Sequence, residues 1–129
     1  MNKSINNISL DHAEISLRED GIVEINTKSS SELGIEQCME NQKAYAQLLE
    51  AKRYPMIHIV GKYVTIDKKA RKYAASEEAL RFSVAEAYVI TSLAHKILAK
   101  FYLKVDKPSV PTKFFSTKVA AENWLKEFL

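Results

Sequence analysis

Apolar positions alternate along Ile8, Leu10, Ile15 and Leu17, with a change of parity near His12 and Ala13. That pattern predicts two irregular halves of one strand joined at a bulge. Glu19-Asp20-Gly21 predicts a hairpin turn, because aspartate tolerates the left-handed region and glycine enters it freely. Ile22, Val23 and Ile25 form the returning strand, ending near Thr27. After a polar connection from Lys28 to Leu33, the spacing of Ile35, Cys38, Met39, Gln42, Tyr45, Ala46 and Leu49 predicts an amphipathic helix over 35–51. Pro55 ends it.

Met56 to Val60 reads as a central strand covered on both faces, with His58 in its middle. Gly61 to Ile66 is a loop, and Asp67 caps a short helix to Ala75. Ser76 to about Arg81 restarts a helical turn, and Ala85 to Thr91 is a strand. Ser92 caps a helix whose Leu93, Ile97, Leu98 and Phe101 share an apolar stripe. Lys104 to Pro111 is a loop, Thr112 to Phe115 a last strand, and Ser116 or Thr117 caps a final helix in which Ala120, Trp124 and Phe128 face the sheet. The order β-β-α-β-α-β-α-β-α predicts one α/β domain over 1–129, its ordered core about 8–128. Its mixed sheet has about five strands, an N-terminal hairpin and right-handed crossovers.

A chain of 129 residues is one domain on length alone and should bury roughly two thirds of its extended surface, enough for a core without disulfides or metal. The single cysteine, Cys38, falls in the helical apolar pattern and reads as a small core residue in a reduced, cytoplasmic setting. Met1 to Leu10 holds no apolar run of signal length, and no window reaches the length of a membrane span. The net charge of +3 divides unevenly, −5 over residues 1–51 and +8 over 52–129. Such an asymmetry can steer a charged partner or a second copy of the chain.

Gly21-Ile22-Val23-Glu24, Lys52-Arg53-Tyr54-Pro55, Ile66-Asp67 with Ala70-Arg71, Tyr73-Ala74-Ala75, Lys107-Pro108 and Pro111-Thr112, in this order of elements, carry a resemblance over about residues 8–128. On them the chain resembles a family of uncharacterised bacterial domains related to STAS, the fold of anti-sigma-factor antagonists. The resemblance implies a sheet with helices packed mainly on one face, and a role in protein-protein regulation. In those antagonists a phosphorylatable serine opens the helix after the central strand. The matching segment here is Asp67-Lys68-Lys69-Ala70, with Lys68 at about the serine position, and lysine accepts no phosphate from a serine kinase.

The segment Tyr63 to Lys72 is the preferred functional surface, for contact with a partner or an anion through Tyr63, Thr65, Asp67, Lys68, Lys69, Arg71 and Lys72. It lies at the carboxyl end of a central strand, where open α/β sheets bind ligands. Neither GxGxxG nor GxxxxGK is present, the three histidines lack ligand spacing, and Cys38 has no sequence-defined histidine partner. The expectation is therefore a non-catalytic module with no cofactor and no metal. The basic row Lys96, Lys100 and Lys104 lacks the interleaved aromatics of a nucleic-acid surface. An unidentified protein partner leads the reading. A sensor of an apolar or anionic small molecule is the alternative, with Tyr88, Phe101, Tyr102, Phe114, Phe115 and Trp124 as candidate pocket walls. A half-uncovered apolar sheet face would also favour a homodimer.

Overall fold

The computed structural model describes residues 4–129 and is a mixed α/β domain; residues 1–3 of the opening segment lie outside the described residues. Its main sheet holds strands β1 (Ser4–Ser9), β2 (Ala13–Arg18), β3 (Val23–Thr27), β5 (Tyr54–Val60), β7 (Ser83–Val89) and β8 (Thr112–Phe115), lying side by side in that order. The first three are antiparallel neighbours and the last three run parallel to β3. Two short strands, β4 (Glu32–Leu33) and β6 (Thr65–Ile66), pair separately. The connecting helices are α1 (Ile35–Leu49), α2 (Lys68–Ala74) and α3 (Leu93–Phe101), and α4 (Lys118–Leu125) follows β8.

Two layers of core result. On one face, Tyr45, Leu48 and Leu49 of α1 pack on Ile15, Val23, Ile25 and Met56, with Phe82 alongside. Further along that face, α2 and α3 lie over Val60, Tyr88 and Phe114. Among the described residues, the opposite face carries one α-helix, α4, whose Ala121 and Leu125 bury against Ile57, Ala85, Ala87 and Val89. Helices therefore lie mainly on one face. Consecutive crossovers of one hand, stepping in one direction across a sheet, place their helices this way.

Several sequence expectations are corrected. The parity switch at His12 and Ala13 is not a bulge in one strand but the turn between β1 and β2, closed by Leu10 N–H donating to Ala13 O at 2.8 Å. This raises the strand count from five to six. The expected loop over 61–66 contains β6, the strand expected over 85–91 runs from Ser83 to Val89, and the segment Ser76–Arg81 is a series of turns. Helix α1 ends at Leu49 because Glu50 and Ala51 both enter the left-handed region. The expected loop at 104 begins instead with a π-helical turn, Tyr102–Asp106, closed by Lys107 in the left-handed region just before Pro108.

Helix α4 is rotated by one residue from its expected phase. Ala121 and Leu125 face the sheet, Ala120 is exposed, and Trp124 and Phe128 lie at the margin. Among the described residues, the open part of this second face is polar. It carries Glu24, which accepts from Asn26 Nδ2 and from Arg18, whose guanidinium also reaches Asp20 and, at 2.6 Å, Glu122 of α4.

Gly61 sets where the 61–66 loop leaves the sheet. A Cβ there would lie 2.6 Å from Ser29 N and 2.7 Å from Thr27 O, both backbone atoms that cannot swing aside. Gly61→Ala is expected to lower unfolding free energy by about 1 to 3 kcal/mol, read from urea denaturation.

Candidate functional site

Strand β7 reads Ser-Val-Ala-Glu-Ala-Tyr-Val, and its single acid points into the helical face. Alternation puts Glu86 and Tyr88 on the same side as Met56 and His58 of β5 and Phe114 of β8. Glu86 is almost fully buried, so its oxygens need donors. Ser83 Oγ donates to Oε2 at 2.6 Å, Tyr88 OH to Oε1 at 3.0 Å, and His58 Nε2 contacts Oε1 at 2.8 Å. Burial raises the Glu86 pKa, but the His58 charge and hydrogen bond, with those from Ser83 and Tyr88, outweigh it and hold the carboxyl below 4.5. An ionised carboxylate only accepts, so His58 Nε2 carries the proton.

This anchoring sets the aromatic rings face to face in a stack that runs across the strands. His58 stacks on Tyr88 with centroids 4.3 Å apart, and Tyr88 on Phe114 at 4.9 Å. Tyr102 meets both edge-on. Above this floor, α2 and α3 present Ala74 and Ala99, residues too short to reach it. The result is a cavity of about 110 Å³, open to solvent, walled also by Val60, Val64, Ile66, Ile90 and Leu98.

A second, more polar cavity of about 60 Å³ lies on the α1 side of Tyr88, lined by Cys38, Gln42, His58, Tyr73 and Glu86. Gln42 Nε2 donates to Ala79 O, and its buried Oε1 has no protein donor. Burial and the charge of Asp67 push the Cys38 thiol up to about 11, so the nucleophilic thiolate is scarce at neutral pH.

The expected site residues divide into two groups. Tyr63, Thr65, Lys68, Lys69 and Lys72 are exposed, and Tyr63 is 78% accessible in a left-handed conformation. Asp67 caps α2 by accepting from Ala70 N–H at 2.8 Å. Arg71 turns inward, where its Nε donates to the buried Asp106 at 2.6 Å and its guanidinium lies over Phe101. The histidines are held separately: His12 by Asn41, His58 by Glu86, and His95 by Val64 O. Tyr63 and Asp67 do not line the cavity beside His58. Of the expected aromatic walls, Tyr88, Tyr102 and Phe114 line the larger cavity, whereas Phe115 and Trp124 pack under α4 with Phe128.

Sequence reasoning placed the stripe of α3 incorrectly. His95, Leu98 and Ala99 face inward, while Leu93 (74% exposed), Ile97 (62%) and Phe101 (44%) face solvent, followed by Val105 (55%). Lys96, Lys100 and Lys104 flank this row and are exposed. The His95–Val64 and Arg71–Asp106 bonds join the Tyr63 loop, α2 and α3 into one surface. No helix among the described residues is long and apolar enough to cross a membrane.

Because the folded-state pKa of Glu86 lies below its unfolded value, its contribution to stability is present above pH 4.5 and lost as pH falls through the folded value. Glu86→Gln is expected to be less stable than the wild type at pH 7 by about 1 to 3 kcal/mol. The gap should narrow on acidification below pH 4.5, measured by urea titration at each pH; a constant gap would contradict an ionised Glu86.

No curated protein and no solved structure matches the chain. A family model described as "Domain of unknown function (DUF7793)" matches residues 15–129, which takes in β2 through the C-terminus and hence the whole site, and the chain belongs to that family.

Proposed function

We propose that the domain is a non-catalytic protein-interaction module that docks a partner on the outer face of α3 and the adjoining Tyr63 loop. The observation that carries this reading is the row Leu93, Ile97, Phe101 and Val105, apolar and solvent-facing, within a fold that buries its other helices on one side. Contiguous exposed apolar surface with a polar rim is the mark of a recognition site. The rim here is lysine: Lys96 and Lys100 on α3, Lys104 on the π-helical turn after it, and Lys68 and Lys72 on α2. It fits an acidic amphipathic segment, whose apolar side chains cover the row while its carboxylates face the lysines. The STAS-like resemblance points to the same class of role, and Lys68 leaves it without a serine phosphoswitch.

A second copy of the chain is one such partner, favoured by a specific counterpart on α1. Ile35 and Met39 are partly exposed there and are flanked by Glu32, Glu36 and Glu40. Because α1 and α3 cover the same face of the sheet, a twofold axis would pair α1 with the partner's α3 twice over.

Cross-linking in native cells followed by affinity capture should recover a partner with the wild type and lose it with Ile97→Glu and with the Lys96→Glu, Lys100→Glu double variant. If that partner is a second copy, wild-type protein sediments as a dimer and Ile97→Glu as a monomer. Identical protein sets from wild type and variants, with unchanged sedimentation, would overturn the docking reading.

A further inference from the structure

We infer that the cavity beneath α3 is a binding site for a small, neutral, apolar molecule, one ring or a short alkyl chain in size. This inference does not depend on the docking reading, because the residues concerned face inward from α3 and the docking row faces outward.

Three observations carry it. The first is size: the cavity holds about 110 Å³, somewhat less than the roughly 150 Å³ apolar cavity that accepts a benzene ring. The second is its wall chemistry. Three of the four polar side chains in the lining are engaged elsewhere: Arg71 with Asp106, His95 with Val64 O, and Tyr88 with Glu86. The cation of Arg71 is balanced by a buried carboxylate, so no free charge is offered to an anion, and water admitted from solvent finds few partners. Displacing poorly bonded water by an apolar group favours association. The third is rigidity of the floor. The His58–Tyr88–Phe114 stack is pinned through Glu86, so the floor cannot rise to fill the space. A preformed site loses little freedom on binding.

Fluorobenzene and benzene are suitable probes, read by fluorine and methyl NMR on the full chain. Expected are saturable shifts with a Kd of about 1 mM or tighter, centred on the methyls of Val60, Val64, Ile66, Ile90 and Leu98. Ala99→Leu and, separately, Ala74→Leu should fill the space and abolish the shifts while the fold is retained. The inference is overturned if the wild type shows no saturable shift, if the shifts map to Leu93 and Ile97, or if they persist in either folded filling variant. Should neither variant fold, the wild-type methyl map alone decides between these outcomes.

Discussion

A carboxylate buried in an apolar strand must be surrounded by donors, and around Glu86 that requirement organises one half of the helical face. Ser83, His58 and Tyr88 come from the same or the adjacent strand, so the network is assembled by sheet register rather than by helix packing. Its consequence is geometric. With the Tyr88 hydroxyl and the His58 ring both tied to one carboxylate, the two rings are held face to face and Phe114 extends the stack. Leaving any of these groups unpartnered would cost on the order of 1 to 3 kcal/mol, which explains why polar groups at this depth occur as a closed set.

What lies over that floor is unusual for a crossover helix. Helix α3 meets it through Leu98, Ala99, His95 and Tyr102, and it is moored at its ends by the His95–Val64 and Arg71–Asp106 bonds. Between those moorings it stands off the sheet. Both of its faces then carry apolar character, one over a cavity and the other in solvent. The expected Tyr63 to Lys72 surface adjoins this element, and its lysines are exposed.

Most of the fold was legible because it rests on local rules. The turn at Glu19-Asp20-Gly21 and the caps at Asp67, Ser92 and Thr117 all act through neighbouring residues. The parity change at His12 was visible but ambiguous, since a bulge and a tight turn shift alternation alike; burial of His12 against Asn41, 29 positions away, settles the turn. In α3 an apolar stripe was legible, but periodicity cannot tell whether a stripe meets the sheet or a partner. Glu86 left a signal, a lone acid in an apolar strand, whose meaning depended on His58 arriving from another strand in register. Arg71 looked like one more exposed cation because Asp106 lies 35 residues downstream, beyond the π-helical turn.

The account stands on α3 being moored at its ends rather than packed into the core, and native-state hydrogen exchange tests that most directly. Amides of Leu93–Phe101 should exchange through local openings well below the global unfolding free energy, whereas those of Lys118–Leu125 in α4 should exchange only with global unfolding. Equal protection of α3 and α4 would mean that α3 is a core helix, and would contradict the account.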